Sequence, residues 1–220
     1  MPVRSFSGEF ASIAEPSDGD KLFAPSAARN MSPLCDLLGE FAPDTGRALE
    51  IASGTGQHVT SFAAHLPGLS WQPTEPGAER RASIDAHVVE AGLANVRPAI
   101  HLDATASGWG AAQGGQDLVF LSNLLHLISS TEAWTLIDEA AAALAPGGRF
   151  IVYGPFMRGG ELTSDGDVSF HEGLQARDPE VGYKDDFDVI DRMQAAGLDL
   201  VAAIEMPANN LALIAQAPGG

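Results

Sequence analysis

Cysteine is almost missing from this chain. Cys35 stands alone among 220 residues, which excludes an internal disulfide and argues against a cysteine-built zinc site. Its expected place is a packed core. Basic residues are scarce too: 12 Lys and Arg face 29 Asp and Glu, for a formal net charge of −17. The basic residues form no cluster beyond Arg80-Arg81. A phosphate backbone would be repelled, so no nucleic-acid partner is expected, and the acidity itself reads as solubility. No run reaches the roughly 18 apolar residues that span a bilayer. The opening MPVRSFSGEF lacks the charged-then-apolar order of a signal peptide. The expectations are no membrane partner and a cytoplasmic location. Scattered Asp, His and Asn show no ligand spacing, so no metal is expected. Repeats and low-complexity tracts are absent, and the length suits one α/β domain better than two.

What is there centres on residues 48–60. Ala48-Leu49-Glu50-Ile51-Ala52 reads as a short buried strand and Ser53-Gly54-Thr55-Gly56-Gln57 as a turn, with a helix from Gln57 onward. The two glycines permit positive φ and let a ligand approach the main chain. The first-turn N–H groups of the helix would face the same space. A strand, a glycine turn and a helix open a nucleotide-binding α/β unit. The dinucleotide pattern G-x-G-x-x-G fits poorly, because Val59 stands where glycine or alanine is needed. Glu50 is unusual inside a core strand, since a buried carboxylate is costly without hydrogen bonds.

In chain order, residues 1–24 form an irregular arm and residues 25–220 a single domain. Leu34, Leu37, Leu38 and Phe41 lie at helical spacing in a helix that starts at Pro25. Arg29 and Asn30 precede that apolar stripe, with donors suited to a carboxylate or carbonyl. The second helix stops at Pro67-Gly68, and a second strand covers 69–73. Glu75 lies at the carboxyl end of that strand, 21 residues beyond Gly54, where an acid accepts from ribose hydroxyls. Residues 79–91 predict an amphipathic helix with Ile84, Val88 and Val89 facing in. A third strand is expected over 95–103, ending in Asp103-Ala104. Residues 117–123 predict a fourth strand buried on both faces, emptying into Leu124-Leu125-His126-Leu127. A helix over 132–145, a Pro146-Gly147-Gly148 turn and a fifth strand to Gly154 follow. Residues 155–184 read as a polar, glycine-rich, lid-like insertion. After a helix over 187–196, the runs 198–205 and 211–216 make an antiparallel hairpin.

Glu50-x-x-x-Gly54-x-Gly56 resembles the first motif of class I S-adenosylmethionine (AdoMet) methyltransferases. Further segments widen the likeness. They include Pro25-Ser26-Ala27-Ala28-Arg29-Asn30, Leu49 to His58, Trp71-Gln72-Pro73-Thr74, Ser83-Ile84, Asn95-Val96 and Leu102-Asp103. Tyr153-Gly154-Pro155-Phe156, Ala176-Arg177-Asp178-Pro179-Glu180 and Met206-Pro207-Ala208-Asn209-Asn210 complete the set. Together they resemble domain-of-unknown-function family 938, the methyltransferase-like protein 26 type. Departures from that family are Glu75 in place of an aspartate, and Gly166-Asp167 and Phe170-His171 in place of Ser-Asn and Phe-Asp in the lid.

The resemblance implies a three-layer, Rossmann-like α/β sandwich. Its sheet would have seven strands, mostly parallel, in the order 3-2-1-4-5-7-6, with strand 7 antiparallel and an N-terminal helical extension. It implies AdoMet as cofactor and S-adenosylhomocysteine (SAH) as product. Cofactor contacts would come from Glu50, Ala52, Ser53, Gly54, Thr55, Gly56 and His58, from Glu75 on the ribose, from Asp103 and Ala104 at the adenine, and from Ser122 and Asn123. His126, His58 and Tyr153 are the candidates for catalysis, the histidines having an ordinary pKa near 6.5. Arg29, Asn30, His126, Tyr153, Asn209 and Asn210 would hold a small-molecule acceptor, in a monomer or homodimer. Two rivals stay open: a nicotinamide-dependent oxidoreductase, and an AdoMet-binding or scaffold protein without turnover.

Overall fold

The computed structural model describes residues 14–219; most of the expected N-terminal arm lies outside them. The described part of the arm is a small antiparallel ribbon of β1 (Glu15–Pro16) and β2 (Leu22–Phe23). It leads into α1 (Pro25–Phe41), whose Leu34, Leu37 and Leu38 are buried. The proline at the helix start suits α1, because its missing N–H would be unpaired there anyway.

The sheet is built from β3 (Gly46–Ile51), β4 (Leu69–Pro73), β5 (Gln116–Ser122), β6 (Leu144–Met157), β7 (Lys184–Asp185), β8 (Asp199–Met206) and β9 (Asn210–Gln216). Its order is β4-β3-β5-β6-β9-β8, with β7 joined to the far end of β6. β3, β4, β5 and β6 run parallel, and β9 runs antiparallel to both β6 and β8. The antiparallel terminal hairpin is thus as expected, turning through Ala208 and Asn209 at positive φ.

The expected third strand is a correction. Residues 95–103 make only two isolated parallel bridges to the β4 edge, Val96 to Trp71 and Ile100 to Thr74. Pro73 of β4 has no N–H to offer the Arg97 carbonyl, and the Ala99 N–H goes to Asp85 Oδ1 at 2.8 Å, so no continuous ladder forms. Gln72 instead donates its side-chain amide to the Pro98 carbonyl at 2.8 Å. The short β7 was not anticipated either.

Alternation along the strands feeds two cores. Leu49, Ile51, Val119, Leu121, Phe150, Val152, Leu211 and Leu213 face α5 (Ser130–Ala143) and α7 (Asp186–Ala195). Ala48, Leu118, Phe120, Ile151, Tyr153, Ala212 and Ile214 share the other core with α1, α2 (Gln57–His65) and α3 (Ala78–Ala91). This is the period-two burial of a sheet covered on both faces. Val89 is a second correction: it is 79% exposed. Ile84 and Val88, four residues apart, share one face of α3, and Val89 falls a further 100° or so round the helix. Three helices escaped the sequence reading: the single turn α4 (Trp109–Ala112), the one-turn helix Leu125–Leu127, and α6 (Asp165–Gln175), which lies inside the insertion. The signal for α6 was polar rather than apolar: Ser164 caps the Asp167 N–H, and Asp165 and Asp167 occupy the first turn.

Candidate active site

The carboxyl ends of β3, β4 and β5 surround one cleft of about 1090 Å³. Its floor is the β3–α2 bend, where Gly54 and Gly56 have φ of +61° and +92°. A Cβ on Gly56 would lie 2.6 Å from the Ile84 Cα, so α3 packs directly on the bend. The strands bracketing the bend each end in a strained residue, Ala52 and Asn123, both with φ of 53°, and both line the cleft. Positive φ outside glycine is uncommon and concentrates at functional sites.

Glu75 reaches back from β4 over this bend. Its Oε2 accepts from the Gly54 N–H at 3.1 Å and its Oε1 from the Gly77 N–H at 3.2 Å. Burial pushes its carboxyl above the ordinary range, against the pull of the Gly77 N–H, Arg80, the Gly54 N–H and Arg81. Asp103 lines the same cleft. Its Oδ1 accepts from the Thr105 N–H at 2.9 Å and the Thr105 hydroxyl at 2.7 Å, which fixes the turn that presents the carboxylate.

Glu50 sits beneath the bend and off the cleft lining. Burial, offset by Ser53 and reinforced by Glu75, raises its carboxyl to about 7, and among the described residues its buried Oε2 has no hydrogen-bond partner. Sequence reasoning missed two braces of the bend. Gln57 Oε1 accepts from the Ala24 N–H at 2.6 Å and the Thr55 hydroxyl at 2.9 Å. Ser83 donates to the Thr55 carbonyl at 2.7 Å and accepts from the Leu22 N–H at 2.8 Å. Both tie the bend to the ribbon and the start of α1. They are ordinary helix residues in the sequence, and only the fold brings them to Thr55.

His58 lies on the lining, stacked on Phe62 at 5.5 Å. Its Nε2 is 3.2 Å from the Ala27 carbonyl and its Nδ1 3.4 Å from the Ser122 hydroxyl. A neutral ring that donates from Nε2 and accepts at Nδ1 satisfies both. Burial, opposed by the Ala27 carbonyl, lowers its pKa to about 4.

At the β5 end, His126 is buried in a one-turn helix, Leu125–Leu127. Burial and then the Lys184 ammonium lower its pKa to about 3. Lys184 is itself buried, donating to the Ile128 carbonyl at 2.7 Å and the Gly182 carbonyl at 2.9 Å. His126 lies against Phe170 of α6 and Tyr183, neither of which was among the expected site residues, and both line the cleft. Asp167 anchors this side. It accepts from the hydroxyls of Thr163, Ser164 and Tyr183 at 2.9, 2.7 and 3.0 Å and from the Asn209 amide at 3.2 Å. Burial works to raise the Asp167 carboxyl, and these hydrogen bonds together hold it below its ordinary value.

The cleft gathers Arg29, Asn30, Ala52, Ser53, Gly54, Thr55, His58, Glu75, Asp103, Ala104, Ser122, Asn123, His126 and Asn210 from the residues expected on sequence. It does not gather Glu50, Gly56, Tyr153 or Asn209. Tyr153 packs in the α1–α2–α3 core, where burial pushes its phenol up to about 12. Asn209 turns its amide to Asp167. Among the described residues, no group of three or more His, Cys, Asp or Glu side chains is placed to hold a metal ion. No helix among them is long and apolar enough to cross a membrane.

The parallel strands with an antiparallel last strand and the glycine bend after β3 define the class I methyltransferase fold. The chain belongs to the family described as "Protein of unknown function (DUF938)", whose profile matches residues 21–217. Among solved structures, it is similar to an O-methyltransferase family protein from Burkholderia thailandensis, at 18% identity and a TM-score of 0.76, covering 89% of this chain and 58% of that one. An O-methyltransferase family 2 protein from Planctomyces limnophilus, in complex with apigenin, matches at 16% identity and 0.73, covering 87% and 57%. Human N-acetylserotonin methyltransferase in complex with AdoMet matches at 13% identity and 0.72, covering 88% and 53%. The chain therefore spans a little over half the length of these neighbours, and at such identities the likeness is one of fold.

Proposed function

We propose that the protein is an AdoMet-dependent methyltransferase acting on a small molecule. The observation that carries this reading is the Glu75 carboxylate, hydrogen-bonded to the Gly54 N–H at 3.1 Å and sharing one cleft with Asp103. The residues fit the cofactor. Gly54 itself adds no side chain to the bend, and the carboxylates that follow β4 flank it as a nucleoside requires. Val59, where a dinucleotide loop needs glycine or alanine, is fully buried in the core, which disfavours the nicotinamide reading.

When bound, AdoMet supplies a methyl group already activated on a sulfonium, so the protein's work is alignment and exclusion of water, effects worth roughly 7–11 kcal/mol. Ala52, Ser53 and Gly54 hold the methionine part, Glu75 the ribose, and Asp103 with Ala104 the adenine. Asn123 and His126 stand at the end of β5, beside the expected position of the methyl group. His126 is neutral at pH 7 and can accept a hydrogen bond from an acceptor hydroxyl. Its burial and Lys184 disfavour the imidazolium, so His126 orients the acceptor's hydroxyl by hydrogen bonding and does not hold the proton, which methyl transfer releases to solvent. His58 is engaged by Ala27 and Ser122 and positions the rim.

The test is transfer of labelled methyl from AdoMet into a small-molecule extract. The expected result is a labelled product whose formation Asp103→Ala abolishes. Labelled product formed equally by Asp103→Ala would contradict the assignment of the adenine site.

A further inference from the structure

The cleft is larger than one ligand needs. Its volume of about 1090 Å³ exceeds the roughly 300–1,000 Å³ of a site for one drug-sized molecule. Beyond the cofactor contacts proposed above, its lining changes character. Three rings close on one another there: His126 to Phe170 at 5.8 Å, tilted, and His126 to Tyr183 at 6.2 Å and Phe170 to Tyr183 at 6.1 Å, both edge-on. His126 and Tyr183 are buried, whereas Phe170 is 48% exposed on the cleft lining. An apolar ring left in water on two supporting rings is a platform for a flat apolar ligand.

Two cations stand on the cleft lining and behind it. The Lys184 ammonium is buried beside His126 on two carbonyls. Arg29 lines the cleft from α1, and among the described residues no carboxylate is paired with it. Of the four carboxylates on the lining, Glu75 and Asp103 are turned to Gly54, Gly77 and Thr105, and Glu15 and Glu79 are the other two. In a chain with a net charge of −17, an anionic ligand is repelled overall and needs such a local frame. A guanidinium offers a carboxylate two parallel donors.

We propose that the acceptor is a planar aromatic acid, its ring laid on Phe170 and its carboxylate met by Arg29. This rests on the methyltransferase reading above, whose AdoMet occupies the other half of the cleft.

The experiment is calorimetric titration of the full chain, preloaded with SAH, using 4-hydroxybenzoate, its neutral amide and cyclohexanecarboxylate as probes. The acid is expected to bind roughly tenfold or more tighter than the amide, as a hydrogen-bonded charge does. The cyclohexane acid is expected to bind about three- to tenfold more weakly than the aromatic one. Arg29→Ala should erase the preference for acid over amide, and Phe170→Ala the preference for the aromatic ring, with SAH affinity unchanged in both variants. Equal binding of acid and amide, or no binding of either aromatic probe to the SAH-loaded protein, would overturn the proposal and leave the cofactor reading standing. Failure of SAH itself to bind would remove that reading, and the proposal with it.

Discussion

The two ends of the cleft are built by different means. At the β3–β4 end, two consecutive strands make the shape: Gly54 and Gly56 set the bend after β3, and the Gly54 N–H meets the Glu75 carboxylate just past β4. At the β5–β6 end, His126, Phe170, Tyr183 and Asp167 come together from the one-turn helix after β5, from α6 and from the loop before β7, with no local motif among them. A backbone-made site leaves a pattern in sequence, because few residues tolerate its φ values and close approaches. A side-chain cluster leaves almost none, because any residue of suitable size can be brought there by the fold. The first kind suits an invariant ligand and the second a variable one.

The largest effect expected from breaking this contrast is at Gly56. Alanine there would hold a Cβ 2.6 Å from the Ile84 Cα at φ of +92°. Left-handed strain and overpacking together should cost about 3 kcal/mol, lowering the thermal midpoint by roughly 10 °C. Ordinary thermal stability of Gly56→Ala would mean that the bend is not the rigid element described.

Next is Glu50, with its buried carboxyl raised to about 7. Between the unfolded value of 4.5 and about 7, the unfolded chain releases a proton that the folded chain keeps. Stability is therefore lost as pH rises through that window. Glu50→Gln should raise the thermal midpoint at pH 8, by up to about 3 kcal/mol in stability, and change it little at pH 5. On the acid side the sign reverses. His58 and His126, lowered to about 4 and 3, leave the unfolded chain binding more protons below its own value near 6.5. The midpoint should fall as pH drops from 6.5 toward 4. A midpoint that does not change with pH from 4 to 8 would contradict both assignments.

The smallest and most local effect is at Asp167. Removing its carboxylate in Asp167→Ala strands the donors of Thr163, Ser164, Tyr183 and Asn209, a cost of about 1–3 kcal/mol. Faster amide exchange should appear over residues 163–175, with SAH affinity unchanged. Weakened SAH binding in this variant would show that the two ends are not separable.

The same contrast explains what was legible in the sequence. The glycine bend, Glu75 and the terminal hairpin were readable because turn chemistry and short apolar runs announce them. The third strand was misread, since its apolar residues suggested a ladder that Pro73 on β4 and the diverted Ala99 N–H do not allow. Tyr153 was expected among the catalytic and acceptor-holding residues, but strand alternation turns it into the α1–α2–α3 core. Phe170 and Tyr183 sat in a stretch read as an irregular lid, and α6 gave no apolar stripe to reveal that it presents Phe170 to the cleft. Ala52 and Asn123 carry their positive φ with no mark in the sequence at all.

The central claim is that a glycine bend and a facing carboxylate form a nucleoside cradle, and calorimetric titration with SAH measures it most directly. The account predicts saturable one-to-one binding to the unmodified chain, weakened roughly ten- to a hundredfold in Glu75→Ala, as expected when a charged hydrogen-bonding group is removed. No detectable binding to the folded, unmodified chain, or equal affinity in Glu75→Ala, would contradict it.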